Sequence, residues 1–330
     1  MKTNIYITRR RAELYYKGRK IILKDDDLLQ KYPIECVNSI QVFCEIPIEV
    51  SVARACLKYD IPIYLISPRG RYLGTIQKLQ HRNIEARLSQ YRVYFDNQRR
   101  LKIAKQIVYG KIKNHLSMLY RLRRLHSYQL DLYIQQILAI KSMCLNVDSI
   151  QKLRGYEGMV AKYYFQGLGK CLPYGFAFQC RSSRPPKDPA NSLLSFGYTL
   201  LASSVMTAIE TNGLDPFIGL VHESIRNNPA LVLDLMEEFR TIIVDNLVIY
   251  LIESEKISME DFVESTSENR LVLMKPEVLR KFIYFYEKRI QTKIDYENRK
   301  TDFISVFYKQ ASRLKMALKQ DLPYVPFGFR

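Results

Sequence analysis

GLVHESIRNNPALVLDLMEEFRTIIVD, residues 219–245, decides how the rest of the chain is read. Asn228 is a favourable N-cap and Pro229 suits a first helical position, so a helix is expected to begin there. At about 100° per residue, Asp234, Glu237, Glu238 and Asp245 fall within one sector roughly 100° wide. Nearly everything else on that helix is apolar, from Leu231 and Leu233 through Met236 and Phe239 to Leu247. Such a helix should be buried, with an edge of carboxylates that bulk water does not reach. Like charges three and four residues apart repel, and more so when desolvated, so the edge requires a cation.

That cation is either a metal or a protein side chain. Arg240 stands three residues after Glu237, and an ion pair within the helix is the simple reading of that carboxylate. His222 adds a second possibility, because a short loop can carry its imidazole over the first two helical turns. Mixed nitrogen and oxygen donors suit Mn²⁺, whereas Mg²⁺ favours oxygen and retained water.

Outward from this stretch, 330 residues suit one large domain or two ordinary ones, and a hydrophobic content of 47% is enough for a packed core. Lys and Arg number 51 against 33 Asp and Glu, a formal charge of +18 that favours a polyanionic partner, nucleic acid before acidic membrane. No apolar run is expected to span a bilayer and the N-terminus lacks a signal-peptide core, which points to the cytoplasm. The six cysteines form no CxxC pair and match no common zinc module.

Residues 1 to about 80 are strand-like: Asn4–Thr8, Ala12–Tyr16 and Arg19–Leu23 with a tight turn at Lys17-Gly18, then Ile34–Val37 and Ser39–Phe43. An amphipathic helix over Ile48–Tyr59, an apolar run at Pro62–Ile66, a turn at residues 67–70 and a strand at Tyr72–Ile76 complete a small β domain. Long helical periodicity follows, and its densest basic tract, residues 86–125, interleaves Arg and Lys with tyrosines in a way that suits phosphates and bases. Tyr156–Leu168 reads as a helix with Glu157 in its first turn, where a carboxylate favours the helix N-terminus. Arg181, Arg184 and Lys187 lie in a Gly-, Ser- and Pro-rich loop and are candidate phosphate contacts. Asn191–Ile209, dense in small residues, should be the centre of a bundle, ending at Asn212-Gly213. A short helix over Lys256–Ser265, a connector with strand character at Leu271–Met274, helices from Pro276 to about Thr292 and over Thr301–Lys319, and a docked tail finish the chain. The fold class is therefore α+β, with a β-rich domain over 1–82 and a helical domain over 83–330.

The order YEGMVAKYYF, RPPKDPANSLLSFGYTLL, GLVHES and DLMEEFR resembles the CRISPR-associated protein 1 family, the metal-dependent integrases of spacer acquisition. The resemblance covers essentially the whole chain and rests on four motifs in the family's order and spacing. It implies a catalytic Mn²⁺ or Mg²⁺ site held by Glu157, His222 and Glu237, with Asp234 and Asn191 in supporting positions. It also implies a homodimer formed through the β-rich domain, a dimer of CRISPR-associated protein 2 as partner, and double-stranded DNA as substrate. The reaction it implies is transesterification, in which a spacer 3′-hydroxyl attacks a phosphodiester of the repeat. Arg181, Arg184, Lys187 and Arg240 are then candidate DNA contacts. Two alternatives remain at this point: a basic helical DNA-binding scaffold whose acidic helix is neutralised internally, and a repair nuclease of another family.

Overall fold

The computed structural model describes residues 3–25, 28–67, 72–78, 84–126, 129–183, 185–224, 228–265 and 271–328. The chain divides into two units, Met1–His81 with Pro276–Ile283, and Arg82–Lys275 with Tyr284–Arg330.

In the first unit the strands are β1 (Thr3–Ile7), β2 (Glu13–Lys17), β3 (Lys20–Asp25), β4 (Leu28–Pro33), β5 (Val37–Val42), β6 (Ile63–Ile66) and β7 (Tyr72–Ile76), with helix α1 (Val50–Lys58) between β5 and β6. One sheet has the order β1-β5-β6-β7, with β5 parallel to both β1 and β6 and β7 antiparallel to β6. β2, β3 and β4 form a separate antiparallel meander. Ile5, Ile7, Ile40 and Ile63 from the first sheet, Leu14 and Ile21 from the second, and Val52, Ala55 and Cys56 from α1 make one core. The expected strand at Ile34–Val37 is instead a 3₁₀ turn over Ile34–Cys36, followed directly by β5. β4 has no expected counterpart, because only Tyr32 of its six residues is even partly buried and no alternation marks it. Of the expected turn at residues 67–70, only Ser67 lies within the described residues.

The second unit is mainly helical: α2 (Ile84–Phe95), α3 (Asn97–His126), α4 (Asp131–Leu145), α5 (Ile150–Lys170), α6 (Pro189–Thr211), α7 (Ala230–Phe239) and α8 (Asn246–Glu253). A short hairpin of β8 (Phe262–Glu264) and β9 (Val272–Met274) precedes α9 (Pro276–Ile290), whose first half groups with the β-rich unit. A second hairpin, β10 (Lys293–Tyr296) and β11 (Arg299–Asp302), leads into α10 (Phe303–Gln320) and a C-terminal strap. By length and mean apolarity alone α6 could cross a bilayer, but 72% of its apolar window is buried within the protein, as for a core helix. Asp188 caps it by accepting from the Asn191 N–H, and Gly213, at a φ of +77°, turns the chain away after Asn212.

Three expectations fail for identifiable reasons. Lys256–Ser265 is not a helix: Ser258 and Asp261 close a capping box around a single 3₁₀ turn, and the following residues pair with β9. Thr301 lies in β11, and the last helix begins at Phe303, where Asp302 accepts from the Ser305 N–H. The central acidic helix starts at Ala230 with Pro229, not Asn228, in the capping position, and it is not continuous: Arg240–Asp245 widens into a π-helical turn between α7 and α8.

Candidate functional site

Asp234, Glu237, Glu238 and Asp245 are all buried, as their apolar surroundings require. They do not share one edge or one cation. The π-helical turn inserts backbone between Glu237 and Asp245, and each carboxylate meets different partners. Widened turns of this kind recur at functional sites because they re-aim side chains without ending the helix.

Asp234 organises the loop that carries His222. Its carboxylate accepts from the backbone N–H groups of Leu220 (2.5 Å), Val221 (3.0 Å) and His222 (2.9 Å), and from His222 Nδ1 at 2.7 Å. A carboxylate only accepts, so the ring hydrogen is fixed on Nδ1 and Nε2 is left for a ligand. Burial is the largest single influence and lowers the His222 pKa, but the bond to Asp234 and the negative charges of Asp234 and Glu237 together outweigh it, and the imidazole sits above its ordinary value. Gly219 lets this loop lie against α7: a Cβ there would stand 2.7 Å from the Ala230 Cβ and 2.8 Å from the His222 carbonyl oxygen. Arg154 of α5 pairs with Glu223, tying the loop to the helix that bears Glu157.

Glu157 and Glu237 come together through Lys111 of α3. The Lys111 ammonium is ion-paired with Glu157 and lies 2.8 Å from Glu237 Oε2, and its side chain is 5% exposed. On the other oxygen of Glu237, Arg240 Nη1 approaches to 3.0 Å. Neither Glu237 oxygen meets a donor at hydrogen-bonding angles, so these are charge contacts without good alignment. Burial would raise the Glu237 pKa, yet Arg240, Lys111 and His222 hold it well below the carboxylate range, at about 2. Conversely, burial would lower Lys111, and Glu157 and Glu237 raise it instead. α5 begins at Ile150, so Glu157 is two turns into its helix and not in the first turn, which removes the helix-terminus reading of that carboxylate.

Beyond the π-helical turn, Asp245 accepts from Tyr164 (2.7 Å) and Tyr198 (2.5 Å). Burial pushes its carboxyl pKa upward. His115 stacks on Tyr164 with ring centroids 3.8 Å apart, and burial, helped by Lys111, keeps its pKa well below the ordinary histidine value. Arg240 and Arg181 both lie over the Tyr198 ring, at 4.9 and 5.4 Å. Arg181 also donates to Asn191 Oδ1 (2.7 Å) and Ser195 Oγ (2.9 Å). The Asn191 amide is spent on the 180–188 loop, accepting from Arg181 and the Ser182 N–H and donating to the Cys180 carbonyl and Asp188. The Lys187 backbone N–H closes the same loop on Ser182 Oγ. Arg184 lies outside the described residues.

Sequence reasoning missed Lys111, His115, Tyr164 and Tyr198 as members of this cluster. Lys111 carried a readable signal: Ala104, Ile107, Val108, Lys111, His115 and Leu119 form one apolar stripe at helical spacing, and all six are buried. A lysine on that stripe needs a buried counter-charge.

The donors suit a divalent cation in kind: two carboxylates converge on one cationic nitrogen, Glu237 keeps poorly satisfied oxygens, and His222 offers an oriented Nε2. As placed, no three His, Cys, Asp or Glu side chains among the described residues are gathered closely enough to share one ion. Lys111 stands where the two carboxylates meet.

Residues 5–288 match the family described as CRISPR associated protein Cas1. The CRISPR-associated endonuclease Cas1 3 of Thermus thermophilus is 34% identical over 92% of this chain and 89% of its own length. A solved Cas1 protein from Thermotoga maritima is similar over the full length of both chains, with a TM-score of 0.84 at 25% identity. A longer chain in a Cas6-RT-Cas1–Cas2 complex is similar to 99% of this one with a TM-score of 0.86 at 25% identity, 36% of that chain being covered.

Proposed function

The chain belongs to the CRISPR-associated Cas1 family, and from that premise we propose that it is a DNA endonuclease and integrase of CRISPR adaptation, dependent on Mn²⁺ or Mg²⁺. The observation that carries the proposal is the meeting of Glu157 and Glu237 on one cation position, beside a His222 oriented by Asp234. Glu157, Glu237 and His222 Nε2 would hold the ion. When bound, a divalent ion neutralises a phosphate and stabilises charge on the attacking and leaving oxygens of an in-line displacement. Asp234 keeps the imidazole in the ligating tautomer. Arg240 and Arg181, stacked on Tyr198, add positive potential beside the phosphate, and Lys187 lies on the same loop as Arg181.

The reaction is strand transfer by a spacer 3′-hydroxyl onto a repeat phosphodiester, with hydrolysis at the same centre when water replaces the hydroxyl. No covalent enzyme intermediate is needed. The formal charge of +18 supports double-stranded DNA as substrate. A homodimer formed through the β-rich unit and a dimer of CRISPR-associated protein 2 are the proposed partners, the latter supported by the similar chain of the Cas1–Cas2-containing complex. The experiment is joining of a short duplex to supercoiled plasmid in the presence of the partner. Mn²⁺ should support joining, EDTA should abolish it, and His222→Ala should lower it by orders of magnitude while DNA binding persists. Unchanged joining by His222→Ala would end the metal assignment.

One observation favours a second reading. Lys111 and Arg240 already neutralise Glu237 internally, as a DNA-binding scaffold without catalysis would need. That reading requires salt-sensitive DNA binding and no response to chelators.

A further inference from the structure

Among the described residues, Lys111 is the one side chain ion-paired with both carboxylates of the candidate metal site. Its ammonium pairs with Glu157 and stands 2.8 Å from Glu237 Oε2, almost out of contact with solvent. Arg240 differs: it reaches only Glu237, through the other oxygen, and rests on the Tyr198 ring. With Lys111 in place the pair Glu157 and Glu237 faces two cations, so the cluster is already neutral. A divalent ion binds carboxylate oxygens at roughly 2.0–2.6 Å. An ammonium nitrogen in contact with the same oxygens would then face the ion across a gap too short for two cations in a medium that screens poorly. One of them must leave, and the flexible four-carbon stem of a lysine allows its charge to move while the helix stays fixed.

We propose that Lys111 is a built-in counter-ion that holds Glu157 and Glu237 together in the metal-free protein and is displaced by the incoming divalent ion. The inference rests on the metal site proposed above. Lys111 is on this account a positioning residue: it keeps the buried Glu237 and the half-buried Glu157 from repelling each other apart and sets how tightly the ion is held. The lysine lowers metal affinity, because each binding event must first break its two ion pairs.

The test is Mn²⁺ binding, followed by electron paramagnetic resonance of the free ion, in the full-length protein and in its Lys111→Met and Lys111→Gln variants, with thermal melts taken with and without Mn²⁺. Both variants should bind Mn²⁺ at least tenfold more tightly than the parent, and their melting temperatures should fall without the ion and recover with it. A variant that folds only when Mn²⁺ is present also supports the proposal, since the ion then does the lysine's work. Equal or weaker Mn²⁺ binding in a folded variant overturns it. Failure of both variants to fold even with Mn²⁺ overturns it too, because the ion then does not replace the ammonium. If neither parent nor folded variants bind Mn²⁺, the metal site itself is wrong. Binding by the parent with no gain in the variants removes only the role given to Lys111.

Discussion

Replacing Glu237 by Gln removes one negative charge from between Lys111 and Arg240 while keeping the side chain's shape. In the fold this carboxyl is held at about 2 against an ordinary 4.5, and its side chain is 4% exposed, so solvent screens little of the interaction. Two and a half pKa units correspond to about 3 kcal/mol. That agrees with the roughly 3–5 kcal/mol lost when one partner of a buried ion pair is deleted. In a unit of this size the loss is about 6–12 °C in melting temperature. Because the folded pKa is depressed, the stabilisation is fully present above pH 4.5 and disappears as the pH falls towards 2. Calorimetric melts of the metal-free parent and Glu237→Gln at pH 7.5 and near pH 3 check both points. The gap between the two proteins should be wide at pH 7.5 and should narrow near pH 3. A variant melting within 2 °C of the parent at pH 7.5, or a gap that does not change with pH, refutes the electrostatic account of this cluster.

Glu238 has the opposite sign. Burial pushes its carboxyl up to about 7, despite bonds from the Phe327 N–H, Tyr324 and Gln310, so stability should fall as pH rises from 4.5 to 7 and stay low above it. Glu238→Gln, which preserves one acceptor and gains a donor, should flatten the melting profile and raise stability by about 3 kcal/mol above pH 7. Gly110→Ala should loosen the C-terminal strap, because a Cβ there would lie 2.5 Å from the Pro326 Cβ; faster amide exchange at Phe327, with a loss of about 1–3 kcal/mol, is the expected result. Asp234→Asn places an amide donor against backbone donors and weakens the bond to His222 Nδ1. The His222 pKa, followed by NMR, should fall, and exchange of the Leu220 and Val221 amides should accelerate.

Much of the architecture was legible because it rests on local periodicity. The buried i, i+3 and i+4 positions of α1, the small-residue density of α6 and the alternation in β2 and β3 each declare their element. The elements misread have signals that are long-range or too short. β4 is held by its ladder to β3 and not by a pattern of its own, and the β10–β11 hairpin turns on Glu297 and Asn298 at positive φ, with no glycine to mark it. The candidate site was legible in residue type, because three of the four motifs carry Glu157, His222, Asp234 and Glu237, and the remaining one carries Asn191. Its wiring was not. A helical wheel treats residues 229–245 as one cylinder, and the π-helical turn at Arg240–Asp245 breaks that assumption, sending Asp245 to Tyr164 and Tyr198. Nor could local sequence reveal that the basic tract of α3 supplies the cation for Glu237, since that contact joins residues 126 positions apart.

The most direct test is diffraction from crystals of the protein soaked in Mn²⁺, with anomalous scattering used to place the ion. The account predicts one strong peak with an oxygen of Glu157, an oxygen of Glu237 and His222 Nε2 each within about 2.0–2.6 Å, and with Lys111 moved off the carboxylates. A saturated crystal with no peak there, or with the ion bound elsewhere and Lys111 still joining Glu157 to Glu237, would contradict it.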